Sequence, residues 1–265
     1  LLNRSSDLGH EALLHIADRA IDHLPPEDGF TNACSLKIEI TVYTDGHNEL
    51  SDVLDFYQGR IRRHVVDVEN PRLLPLAARD ELILSGRDGN ADIYLYLEDD
   101  IIIHDKNFLD KQIWFLRRTN HRFALMPHRY EQASRSNVDR LFVDGPLRKE
   151  FIKRFAAPQA NVASGLYKGV EKVSFDIAAN PHSGSFTLSK EQVLALRKQK
   201  LPISGFVSPL ETAATLTVLK FFPVLKPSIE HRSFLMVEHG HPSFMHYTSQ
   251  LPHRHFSTQQ DQQNS

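Results

Sequence analysis

The sequence predicts an α/β fold, with helices flanking a mixed, mostly parallel sheet. Three observations lead there. Segments of strand-like and helix-like apolar spacing alternate along the chain. The run IYLYL, residues 93–97, is apolar throughout, as suits a strand buried on both faces. Directly after it stand Glu98, Asp99 and Asp100, where the carboxyl end of such a strand opens onto a ligand crevice.

Each element has its own signal. HEALLHIADRAIDHL (10–24) carries apolar residues at helical spacing and is stopped by Pro25-Pro26. LKIEITVYTDG (36–46) alternates and ends in Asp-Gly, a strand entering a turn. A helical pattern covers roughly 48–60, RHVVDVE (63–69) is a short strand, and LLPLAARDELILSG is helical again. The turn RDGNAD leads into the strand that carries the acidic triplet. NFLDKQIWFLRRT (107–119) is the next helix, and RFALMPHRYE and RLFVDG form a strand pair. Residues 156–172 read as loop. FDIAANPHSGSFTLSKEQVLALRKQ runs as strand, turn and helix from Lys190, and SPLETAATLTVLKFF (208–222) is a late helix. One domain is expected over 1–256, followed by a polar, low-complexity, disordered tail, STQQDQQNS (257–265).

Composition bounds the possibilities. The 265 residues are 41% apolar, enough for one large core. The net charge of −2 offers no broad basic field for nucleic acid. The single cysteine, Cys34, rules out an internal disulfide and a cysteine metal cluster. No run of about 18 apolar residues marks a membrane span. The chain opens Leu1-Leu2-Asn3-Arg4 without Met or signal peptide, so a piece trimmed from a longer protein is expected. Both a cytoplasmic and a lumenal setting stay open.

Three adjacent carboxylates repel one another, and burying them unpaired costs several kcal/mol. Either they lie in water at a strand end, or they await a cation. Hard cations such as Mg²⁺ and Mn²⁺ suit them, because these ions bridge one or two carboxylates to substrate phosphates.

The segment YLYLEDDIIIHDKNFLDK resembles the metal motif of GT-A-fold, nucleotide-sugar-dependent glycosyltransferases, in its Glu-Asp-Asp variant of Asp-x-Asp. Further pieces follow in the family's order. PHSGSFTLSKEQ (181–192) resembles the glycine loop against the donor, with Gly184 for close approach and Ser183 and Ser185 for hydroxyls. Glu211 in SPLETAATL resembles the x-Glu-Asp carboxylate, although Thr212 stands where the family has Asp. EHGHPSFMHYTS (238–249) resembles the segment with the family's late histidine, which completes the metal site or contacts the diphosphate; His246 is preferred, with His241 and His239 close behind. The family's first strand is missing or shortened to Leu1-Leu2, which leaves Asn3, Arg4 and Ser5 near the nucleotide. Asp45 and Arg79 are weaker candidates for that region, and Arg79 reads as part of a solvated helix face.

The resemblance implies a Rossmann-like GT-A sheet and transfer of a sugar, with inversion, from a nucleotide diphosphate to an acceptor hydroxyl. The acceptor is a glycan, a glycoprotein or another alcohol. Asp100 would ligate Mn²⁺ or Mg²⁺ together with His246. Glu98 and Asp99 would face the donor's ribose, sugar or metal-bound water, and Glu211 would be the general base. Two rivals remain: a nucleotidyltransferase-like phosphate enzyme, and a non-catalytic carbohydrate-recognition domain of the same ancestry. A separate zinc site of Glu238, His239, His241 and His246 is a minor alternative.

Overall fold

The computed structural model describes residues 37–86, 89, 91–132, 140–241 and 244. The expected first helix, the shortened first strand and the polar tail lie outside them. Two parallel strands come first, β1 (Ile40–Thr44) and β2 (Ile61–Val65), joined through the short helix α1 (Ser51–Phe56). Helix α2 (Leu74–Ser85) leads to β3 (Ile93–Leu97), β4 (Ile101–Ile102) and α3 (Phe108–Arg118). Next come β5 (Ala124–Leu125), β6 (His128–Gln132), β7 (Arg140–Phe142) and α4 (Lys149–Ile152). A long hairpin, β8 (Gln159–Tyr167) and β9 (Glu171–Ile177), precedes β10 (Ser185–Ser189) and α5 (Lys190–Leu196). A late helical run, α6, joins Pro209–Glu211, a wider π-turn at Thr212–Leu216, and Thr217–Leu219. Strands β11 (Val224–Pro227) and β12 (Met236–His239) close the described chain.

The fold is mixed α/β, as expected, but the pairing is not mostly parallel. Among the described residues five of eight strand pairings are antiparallel. Three antiparallel pairs, β3–β10, β4–β12 and β9–β11, join strands from distant parts of the chain, whereas β6–β7 and β8–β9 follow from connections too short for a parallel crossover. The β8–β9 hairpin shows this. Lys168 and Gly169 both take positive φ (49° and 76°), and the Val170 N–H closes the turn on the Tyr167 carbonyl. This hairpin also corrects the reading of 156–172 as loop. β8 is an edge strand of small residues that its partner holds through backbone bonds, so its own side chains carry little strand signal.

β3 is sandwiched as its sequence requires. Tyr94 and Tyr96 enter a core shared with Leu76 and Ile83 of α2, Val193 of α5 and Val218 of α6. Ile93, Leu95 and Leu97 face a second core, built from Phe108 and Phe115 of α3, Phe175 of β9 and Val237 of β12. β3 pairs antiparallel with β10, and the rings of Tyr96 and Phe186 stack with centroids 5.1 Å apart. Such pairs add about 0.5–1.5 kcal/mol to simple burial.

Arg79 does not lie on a solvated face. It is fully buried, and its Nη1 donates to the Pro202 carbonyl and to Thr217 Oγ1, each at 2.8 Å. This pins α2 to α6. Asp45 is occupied at the end of β1, where it accepts from the His47 and Asn48 backbone N–H groups and from Asn48 Nδ2. These bonds draw its carboxyl down to about 2.

Candidate functional site

Strand register assembles the site. Leu97 pairs with Ser185, so the next residues, Glu98 and Gly184, meet where the two strands end. The Glu98 N–H donates to the Gly184 carbonyl at 2.8 Å. A tight turn then carries Asp99 and Asp100 outward and closes with Ile101 N–H on the Glu98 carbonyl at 3.2 Å. Gly184 sits at φ +66°, and a Cβ there would lie 2.7 Å from Ile101 side-chain carbons and 3.0 Å from Glu98 Oε2. Both conformation and space therefore require glycine. Gly184→Ala is expected to cost about 2–4 kcal/mol, the sum of a left-handed backbone and a core clash. Urea denaturation measures it, and a loss under 1 kcal/mol would contradict this packing.

The triplet divides into three environments. Glu98 is buried, and its Oε1 has no hydrogen-bond partner. Burial and the Asp100 charge push its carboxyl well above the usual range, with Glu211 and Asp99 adding and Arg129 opposing. Asp99 is exposed. Asp100 is half-buried; its Oδ1 is enclosed without a partner, and its Oδ2 lies 3.1 Å from His239 Nε2.

His239 comes to Asp100 through β12. It pairs with Ile101, and Gly240 N–H donates to the Asp100 carbonyl at 2.6 Å. His239 Nδ1 lies 2.9 Å from Glu131 Oε1. Burial lowers the imidazole, but the bonds to Asp100 and Glu131 outweigh it and hold the ring above its ordinary value. His239, one of the two lesser candidates, thus stands beside Asp100. His241 is exposed, and His246 lies outside the described residues, as do Asn3, Arg4 and Ser5. The four-residue zinc cluster does not form along β12. Alternation turns Glu238 away from His239, and Glu238 Oε2 instead meets His104 Nε2 at 2.7 Å.

Ser183 is fully buried and donates to the Ser185 carbonyl at 2.6 Å, so its hydroxyl braces the glycine loop from within. Ser185 is likewise fully buried. Glu211 sits in the first turn of α6. Its Oε2 accepts a hydrogen bond from Ser208 Oγ, and Oε1 takes none from the described residues. Its charge adds to the upward shift of the Glu98 carboxyl.

A second group was not singled out from sequence. Asp144, after β7, accepts from Arg129 Nε (2.9 Å), the Arg129 N–H (2.9 Å) and Lys226 Nζ (2.6 Å). Lys226 also donates to the His182 carbonyl at 2.6 Å, which ties the group to the glycine loop. Burial raises the Asp144 carboxyl, yet Lys226 and Arg129 carry it well below the carboxylate range. Burial lowers the Lys226 ammonium to about 8 against the opposing pull of Asp144. Burial and the charges of Arg129 and Lys226 keep His182 neutral, with Nδ1 2.7 Å from Thr215 Oγ1 in the π-turn of α6. A cavity of about 530 Å³ opens beside the cluster, lined in part by His128, Phe142, Asp144, Asn180 and Pro227. The signal in the sequence was slight: Lys226 interrupts the apolar run FFPVLKPSI, and Arg129 lies within strand β6.

Among the described residues no three His, Cys, Asp or Glu side chains converge on one point. The donor set nonetheless fits a hard divalent cation of the substrate-bridging kind. Such an ion takes one or two carboxylates and fills its other positions with phosphate oxygens and water. Asp100 Oδ1, enclosed and unpartnered, is free to serve as one such oxygen, and His239 stands next to it. The sequence matches no protein-family model and no curated protein.

Proposed function

We propose that the chain is a GT-A-type glycosyltransferase that moves a sugar from a nucleotide diphosphate to an acceptor hydroxyl with inversion. One observation carries this reading: the Glu-Asp-Asp turn, the Gly184 loop and a late histidine, three pieces far apart in sequence, meet at the end of β3. An acidic strand end that was merely solvated would not enclose the Asp100 and Glu98 oxygens without partners.

In this reading Asp100 holds Mn²⁺ or Mg²⁺ with His239 beside it; His246 remains the alternative. The bound cation supplies offsetting charge for the leaving diphosphate. The Gly184 loop backs the acidic turn, its missing Cβ making room for Ile101 and Glu98 beneath the donor. Glu98, buried with Oε1 unpartnered, faces a hydroxyl of the donor's ribose or sugar. Glu211 Oε1 accepts the proton of the acceptor hydroxyl as that oxygen bonds to the anomeric carbon and the bond to the diphosphate breaks. Ser208 holds Oε2 and so orients the base. The acceptor approaches from the cavity beside Asp144, which lies next to the glycine loop through Lys226 and His182.

The test is release of nucleoside diphosphate from a panel of nucleotide sugars in Mn²⁺. Glu211→Gln is expected to lower turnover by about 10²–10⁴-fold with nucleotide binding unchanged. Turnover within threefold of wild type would remove Glu211 as base. No turnover with any donor would count against the transferase reading.

A further inference from the structure

Arg129 stands apart among the charged groups around the crevice. Its side chain is 7% exposed, and Asp144 anchors it through Nε and the backbone N–H. Neither Nη makes a hydrogen bond to a described residue, and neither is enclosed in the core. A guanidinium fixed along one edge and open along the other is pre-organised for an oxyanion, because little rotamer freedom remains to be lost.

Strand alternation gives the direction. Arg129 and Glu131 share one face of β6, and Glu131 on that face bonds His239, which stands beside Asp100. From the other side, Lys226 bridges Asp144 to the His182 carbonyl, two residues before Gly184. The open edge of Arg129 therefore lies in the space bounded by the acidic turn, His239 and the glycine loop. Charge balance points the same way. Two buried cations, Arg129 and Lys226, share the Asp144 carboxylate, and an anion on the open edge of Arg129 would add a direct counter-charge.

We propose that the free guanidinium edge of Arg129 binds a phosphoryl group of the substrate, the diphosphate of the nucleotide donor. The source of that phosphate rests on the glycosyltransferase reading; the anion site itself does not. Bound there, the diphosphate meets a second cation besides the metal, and Arg129 gains as charge builds on the leaving group.

Calorimetric titration of the whole chain tests this with three probes: inorganic pyrophosphate without metal, a panel of nucleoside diphosphates with Mn²⁺, and glucose 6-phosphate as an acceptor-like phosphate. Wild type is compared with Arg129→Lys, which keeps a cation for Asp144 but cannot serve Asp144 and phosphate together. Thermal unfolding checks that the variant is folded. The expected result is pyrophosphate and nucleotide binding weakened at least about tenfold in Arg129→Lys. Equal affinity in the folded variant would overturn the inference and leave the transferase reading standing. Arg129-dependent pyrophosphate binding with no nucleotide bound would do the reverse. Arg129-dependent binding of glucose 6-phosphate alone would support the anion site and move it to the acceptor. No binding of any probe by wild type would overturn both. Should Arg129→Lys fail to fold, phenylglyoxal modification of wild type decides. Protection of Arg129 by pyrophosphate supports the site, and unchanged modification overturns it.

Discussion

Asp144→Ala is expected to destabilise the protein by about 3–5 kcal/mol at neutral pH, as removal of one partner from a buried ion pair does. The side chain is 1% exposed and takes three hydrogen bonds from Arg129 and Lys226. Without it two buried cations lose their counter-charge. Lys226, already lowered to about 8 by burial, would fall further and become neutral at pH 7, which moderates the loss. The effect has a pH signature. The folded-state value of Asp144 is depressed below its unfolded value. Its contribution is therefore complete above the unfolded value of about 4 and is lost as pH falls below that toward the folded value. Urea denaturation of both proteins from pH 7 to pH 2 should show a gap that is wide at pH 7 and narrows below about pH 4. A gap under 1 kcal/mol, or one that does not narrow in acid, would contradict the account of this cluster.

The second large effect concerns chemistry rather than stability. Asp100→Ala is expected to lower metal-dependent turnover of a nucleotide sugar at least about 100-fold, since it removes the carboxylate that keeps an oxygen unpartnered at the turn while still reaching the surface. Stability should change little, because the Asp100 side chain is 24% exposed and the turn is closed by backbone bonds. Asp99→Ala is the comparison. That side chain is exposed, and its removal should cost far less turnover. Equal losses at the two positions would mean that the triplet acts as a diffuse negative field and not through one ligand.

Much of the scaffold was legible in sequence because it depends on local patterns. IYLYL announced a strand apolar on both faces, and it lies between two cores. The helices around 107–119 and from Lys190 follow their periodicity, and the latter has the capping box of Ser189 and Gln192. Gly184 was marked by its turn, and register explains why it must be glycine.

What stayed hidden depends on long-range pairing. Sequence offered His239 as one of three late histidines, and only the alignment of β12 with β4 shows that it reaches Asp100; His246 lies outside the described residues. Arg79, Arg129 and Lys226 look like ordinary surface charges, yet partners 138, 15 and 82 residues away hold them in buried positions. The mostly parallel sheet was inferred from alternating elements, but three of the five antiparallel pairings join strands far apart in sequence, which local alternation does not encode.

The central claim is that the Glu-Asp-Asp turn holds a nucleotide through a divalent cation. It is tested most directly by calorimetric titration of UDP, GDP, dTDP and CMP into the wild-type protein, each with and without Mn²⁺, and repeated on Asp100→Ala. The account predicts that one nucleotide binds, that binding requires the metal, and that it vanishes in the variant. Absence of binding by every nucleotide in both metal states, or binding indifferent to Mn²⁺ and to Asp100, would contradict it.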